Sequence, residues 1–319
     1  MRGGLVLASL LLCMAMPGIA HAAPPDAEPD IRVVLLGTGG GPVTRANRAG
    51  IGTLVLAGDQ VLLFDAGSGV PNALQRVPVR PASVTAVFLT HLHSDHVIAI
   101  PELYLFPWAS DGRQTPFRIW GPDGTRAMME HLQAAFAYDI HVRRDIDEHF
   151  PAEGIAVEAT DIEPGVVYEA DGVTVTAFLV DHAPIEPAYG YRVDYRGRSV
   201  VLSGDTRPAP NLIRFAKGAD LLIHEVGRWK DDPALAGDPE EMLAGSLTRE
   251  QMRVIAAHHT DPVEAGEVFA QARPRLAVFS HYAMATGDIL SLVRRNYDGR
   301  VEVGEDGMVI EIGDEVRVR

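Results

Sequence analysis

Cysteine is almost absent from this chain: Cys13 is the only one in 319 residues. A single thiol closes no disulfide within the chain and builds no thiolate cluster around a metal. Cys13 also sits in a stretch that reads as a leader, MRGGLVLASLLLCMAMPGIAHA. Arg2 precedes an apolar run from Leu5 to Met16, Pro17 and Gly18 break it, and Ala20-His21-Ala22 offers small residues before a cut at Ala23. This is the pattern of a signal peptide over residues 1–22. It implies a periplasmic or secreted protein, and a mature chain with no cysteine even though export permits disulfides. The run is too short for a membrane span, with an uncleaved anchor as the alternative. Residues 23–30 read as an acid- and proline-rich tether, and residues 31–319 as a single domain.

Cations are also scarce. Twenty-eight Lys and Arg face 43 Asp and Glu, a net charge of −15 with His neutral. Such a surface repels nucleic-acid phosphates and anionic membranes. Neither nucleic acid nor stable membrane insertion is therefore expected, although a local basic pocket stays compatible with the total. Short internal repeats are missing as well, which excludes a solenoid.

The length instead suits a large dry core. Strand-like runs appear at Ile31–Leu36, Ile51–Leu56, Val61–Asp65, Val84–Thr90 and Phe117–Trp120. More follow at Val173–Leu179, Tyr189–Tyr195, Ser199–Leu202, Leu221–His224 and Leu276–Ser280, with two closing strands around Glu305-Asp306-Gly307. Helical spacing marks Pro71–Val77, Thr125–Ala137, Thr248–Ala257 and Pro262–Ala272. Pro101–Thr115 reads as a loop, and Trp229–Leu247 as a loop over a site. Strand-rich halves followed by helices predict an α/β protein of two packed sheets with helices outside.

The densest chemistry is AVFLTHLHSDHVIAI at residues 86–100. His91, His93, Asp95 and His96 follow directly on an apolar strand, where rigid scaffolds display functional groups. Imidazole and carboxylate suit zinc, and also iron or manganese. From one turn His91 and His93 can share an ion while Asp95 and His96 point elsewhere, which favours a second ion. The device of strand then ligand recurs with His182, Asp205 and His281. His224 ends a strand and reads as a buried hydrogen-bonding residue. His258 adjoins His259, and His131, His141 and His149 read as solvent-facing. The glycines at 37 and 39–41 match a phosphate loop weakly; a tight turn beside the site fits better. Tyr104, Phe106 and Trp108 read either as an aromatic wall for a substrate or as core.

Thr90-His91-Leu92-His93-Ser94-Asp95-His96, Gly204-Asp205-Thr206 and the strand-final His281 resemble the motifs of the metallo-β-lactamase superfamily. The resemblance runs from Leu36-Gly37-Thr38-Gly39 to Ser280-His281. It implies an αββα four-layer sandwich with two divalent metal ions, zinc first, at one edge of the sheets. Carried over by position, His91, His93 and His182 would hold one ion, Asp95, His96 and His281 the other, and Asp205 would bridge. Gly190-Tyr191-Arg192, Leu222-Ile223-His224-Glu225 and His258-His259-Thr260 resemble the ribonuclease Z and arylsulfatase-like branch, which also implies a homodimer. Ribonuclease Z carries an arm for transfer RNA, usually between the third and fourth metal motifs, and only 22 residues separate His182 from Asp205 here. Together with the leader and the acidity, this favours an exported hydrolase of small aryl sulfate or related esters. The alternatives are a phosphodiesterase or ribonuclease Z-like enzyme, a lactonase, or a metal-binding protein without catalysis.

In such an enzyme a water activated between two ions attacks the ester. Asp95 would also orient that water. His259 would protonate the leaving group, with Glu225 orienting His259, although the loop ends Val226-Gly227 where the family's ends otherwise.

Overall fold

The computed structural model describes residues 28–42, 45–227, 248–282 and 289–319. The leader, all but the last residues of the tether, and Trp229–Leu247 lie outside them. Among the described residues, no helix is long and apolar enough to cross a membrane.

Among the described residues, fifteen strands form two sheets. The first holds β1 (Ile31–Gly37), β2 (Gly52–Ala57), β3 (Gln60–Phe64), β4 (Ala86–Phe88), β5 (Phe117–Gly121), β6 (Val157–Asp161), β14 (Val309–Ile312) and β15 (Val316–Val318), in the order β15-β14-β1-β2-β3-β4-β5-β6. The second holds β7 (Gly165–Ala170), β8 (Val173–Leu179), β9 (Tyr189–Tyr195), β10 (Arg198–Leu202), β11 (Leu221–Val226), β12 (Leu276–Tyr282) and β13 (Val301–Val303), in the order β13-β12-β11-β10-β9-β8-β7.

Side chains alternate along a strand, so a strand apolar on both faces must be covered twice. In β1, Val33 and Leu35 join Phe64, Phe88, Tyr191, Val200 and Val278 between the sheets. Val34 and Leu36 point the other way, onto a layer with Leu103, Tyr104 and Trp108. The second sheet does the same: Val201, Leu222 and Phe279 pack under Leu212, Val268 and Phe269 of the helices Pro210–Ala216 and Pro262–Ala272. The result is the expected four-layer αββα sandwich.

Three local expectations change. Pro101–Thr115 is mostly helix, Ile100–Ser110. Pro101 is tolerated in the first turn, where an N–H has no partner within the helix. Pro107 removes the N–H that would reach the Leu103 carbonyl, and buried Arg113 supplies the replacement, donating from Nη1 to Leu103 O at 3.0 Å. Tyr104 and Trp108 are buried on this helix and Phe106 is exposed, so they are no wall of one pocket. Second, β6 and β7 have no counterpart among the strand-like runs, because as outermost strands they carry exposed Glu158 and Glu169. Third, the C-terminus forms three strands, and β13 pairs with β12 in the opposite sheet from β14.

Candidate metal centre

Strand ends place the polar cluster. Leu89 continues β4 by donating to Trp120 O at 2.8 Å. The chain then turns, and the short helix Ser94–Val97 sets Asp95 and His96 beside His91 and His93. From the second sheet come His182 beyond β8, Asp205 beyond β10 and His281 in β12. Gly204 makes the turn before Asp205 with φ +60, and a Cβ there would meet Tyr189 O at 2.5 Å. His281 itself adopts φ 50 and Asp65, at the end of β3, φ 58. Such backbones are strained for side-chain-bearing residues and tend to gather at functional sites.

All seven sequence-predicted donors converge. His93 Nδ1 lies 2.9 Å from His91 Nε2 and 3.3 Å from His182 Nε2. His281 Nε2 lies 3.2 Å from His96 Nε2 and 3.3 Å from Asp95 Oδ2. Asp205 Oδ2 stands between the groups, 3.4 Å from His96 Nε2, 3.9 Å from His91 Nε2 and 4.0 Å from His182 Nε2. The opposite ring nitrogens are anchored outward: His91 Nδ1 to Thr90 Oγ1 at 3.0 Å, His96 Nδ1 to Asp65 Oδ2 at 2.9 Å, and His182 Nδ1 to the His258 carbonyl at 3.1 Å. With a proton on each of those nitrogens and none on Nε2, the three rings would aim Nε2 lone pairs inward, the arrangement of metal-binding imidazoles.

Electrostatics agree. Burial, with His96 beside it, holds His91 well below its usual pKa, and burial lowers His93 and His182. Burial would raise Asp205, but His281 and His96 keep it ionised well below the usual carboxylate range. Asp95 is lowered likewise: burial opposes, while a hydrogen bond from His281 and the nearness of His96 prevail. His96 is raised, since Asp205 and Asp65 outweigh its burial. Buried Asp205 Oδ1 and His281 Nδ1 have no hydrogen-bond partner; they lie 3.2 Å apart in poor alignment. Three imidazoles held neutral (His91, His93 and His182), ionised carboxylates and orphaned buried atoms around one point fit a divalent metal.

Beside this cluster, His259 Nδ1 faces Glu225 Oε2 at 3.2 Å. Glu225 Oε1 accepts the Thr260 amide at 2.9 Å and the Thr206 amide at 3.2 Å. Burial opposes a charge on His259, but the Glu225 carboxylate prevails and its pKa is pushed up to about 9. The unusual Gly227 is accommodated here, because a Cβ on it would stand 2.3 Å from His259 Cβ. His224 is fully buried, with Nδ1 on the Glu225 carbonyl. His131, His141 and His149 are exposed.

Sequence reasoning missed Asp65, which accepts from Thr90 N at 2.9 Å and Thr90 Oγ1 at 2.9 Å as well as holding His96. It follows the apolar run of β3, the same device that marked the other donors.

Fold and centre together define a metal-dependent hydrolase. A model of the beta-lactamase superfamily domain matches residues 60–282. Ribonuclease Z of Mycobacterium avium (strain 104) is 36% identical over 285 residues, covering 86% of this chain and 96% of that protein. Among solved structures, the metallo-beta-lactamase fold protein YhfI from Bacillus subtilis superposes with a TM-score of 0.67 at 23% identity, covering 89% and 99% of the two chains. The short form of human tRNase Z gives 0.63 at 21%, covering 88% and 99%. The chain belongs to the metallo-β-lactamase superfamily, in its ribonuclease Z branch.

These relatives overturn two expectations: the small aryl ester as substrate, and the setting aside of nucleic acid as partner. The relative matched along nearly its whole length carries the name of a ribonuclease. The physical error lies in using net charge. A value of −15 sums the whole surface, whereas phosphate needs positive charge only where it sits, and bound cations supply it locally. The interval between His182 and Asp205 contains β9 and β10; it speaks to an arm at that place and nowhere else.

Proposed function

We propose that this protein is a metal-dependent phosphodiesterase that cleaves RNA in the manner its ribonuclease Z relatives are named for. The observation carrying the reading is the 36% identity along 96% of such a relative, joined to an intact set of seven converging donors and the His259–Glu225 pair. His91, His93 and His182 would hold one divalent ion, Asp95, His96 and His281 a second, with Asp205 shared; zinc suits these donors, as do manganese and iron. When bound, such ions supply Lewis acidity towards phosphoryl oxygens and lower the pKa of water.

The chain's own residues do the rest. Two backbone amides hold Glu225, and Glu225 holds His259 in its protonated form with Nδ1 engaged. Nε2 is then the nitrogen that passes a proton to the departing oxygen as the phosphorus–oxygen bond breaks. A second reading, a phosphodiesterase for small diesters, is favoured by the absence of an arm among residues 183–204, which hold β9, β10 and short connections.

Purified protein supplied with zinc or manganese is to be assayed on precursor transfer RNA and on bis-p-nitrophenyl phosphate. RNA cleavage that stops with chelator and returns with metal is expected. Turnover of the small diester alone selects the second reading, and turnover of neither removes both.

A further inference from the structure

Glu305-Asp306-Gly307 joins β13 of one sheet to β14 of the other. It crosses beside the metal edge: Gly304 N donates to Phe279 O at 2.8 Å, two residues before His281, and Gly307 N donates to Leu35 O at 2.7 Å. Asp306 itself is exposed, yet it accepts three hydrogen bonds. Its Oδ1 takes Thr38 N at 2.9 Å and Thr38 Oγ1 at 2.8 Å, and its Oδ2 takes Ala49 N at 2.6 Å. Thr38 is fully buried, so both of its donors need this partner.

The residues held this way touch one half of the centre. Tyr282 N, next to His281, donates to Thr38 O at 3.0 Å. Gly40 lies so close to His281 that a Cβ would stand 3.0 Å from the imidazole Nδ1 and Cε1. Gly41 N donates to Asp95 Oδ2 at 3.0 Å. Asp95 comes from the first sheet and His281 from the second, so their separation depends on how the two sheets are fixed at this edge.

We infer that Asp306 is a positioning residue for the metal centre: by clamping the Thr38–Gly41 turn it sets Asp95 and His281 at binding distance. The inference rests on the metal part of the proposed function and is independent of the substrate. Groups that orient ligands from outside the coordination sphere change metal affinity about 10- to 100-fold when removed. The effect here is selective, since the hydrogen bonds of Asp306 run to Thr38 and Ala49, while those of His91, His93 and His182 run to Thr90, to one another and to the His258 carbonyl.

The test titrates metal-stripped protein with cobalt, following the absorption spectrum and the metal content after dialysis. Wild type is expected to take two ions per chain. Asp306→Ala should bind the second about tenfold more weakly while the first keeps its affinity. Thr38→Val, which deletes a single hydrogen bond, should fall between. Wild-type affinities for both ions in both variants would overturn the inference, as would equal weakening of the two, because a merely structural loosening does not discriminate between them. If Asp306→Ala does not fold, Asp306→Asn and Thr38→Val decide by the same readout. A wild type that takes no ion would sink the metal reading itself.

Discussion

His259 and Glu225 stand 3.2 Å apart, and each substitution isolates a different property. His259→Ala removes the proton donor without touching the seven donors, so kcat should fall about 10²- to 10⁴-fold with metal content unchanged. Glu225→Gln leaves the imidazole but removes the charge that raises it. The acid form of His259 exists below about 9, so activity that depends on it declines as pH rises through that value. In Glu225→Gln the alkaline decline should begin at lower pH, measured as the pH profile of kcat/KM on RNA. An unmoved profile would mean that His259 is not the acid. At this scale the sequence spoke unevenly. His91, His93, Asp95 and His96 were legible because they crowd one turn. Asp65 was not, because a single aspartate after a strand looks like any other until His96 is seen to rest on it at 2.9 Å.

The helix Ile100–Ser110 shows what a proline-rich segment conceals. Two prolines and the loop-like Asp111-Gly112 made a turn the natural reading, but the repair of Leu103 O by Arg113 comes from outside the helix and no periodicity reports it. Arg113 also donates from Nε to Gly154 O at 3.0 Å and from Nη2 to Tyr104 O. It has no acidic partner among these contacts, and burial lowers its pKa to about 10. Arg113→Met should therefore leave buried carbonyls unmatched, destabilising the fold by at least about 2 kcal/mol in urea melts. In the Arg113→Met background, Pro107→Ala restores an N–H for Leu103 O and should recover part of that loss. If the second substitution only adds to the first, the hydrogen bond is not what Arg113 contributes. The central strands were legible throughout because both of their faces are apolar, whereas β6 and β7 were hidden by the charged residues of an exposed position.

Across the whole molecule, the donors arrive from both sheets, so an ion bound between them joins the sheets as well as serving chemistry. Ions that bind only the folded state stabilise it by mass action, about 2.7 kcal/mol at a hundred times the dissociation constant. Chelation should lower the melting temperature, and added zinc should restore it in a concentration-dependent way; an unchanged melt would show that the cluster holds no ion in solution. The architecture could be read from the order of strands and helices, and the substrate could not. Residue counts report an average over the surface, and recognition of phosphate is decided within a few ångströms.

The pairing of Ile31 with Ile312 and of Val34 with Val309 has a consequence for how the protein comes into being. β1 leaves the ribosome long before β14, the strand that covers this flank. During synthesis β1 has β2 on one flank and bare amides on the other, and all seven clustered donors emerge before that flank is covered. A chain cut short ahead of residue 309 would therefore hold all seven donors and an open sheet edge, a form prone to join with its own kind.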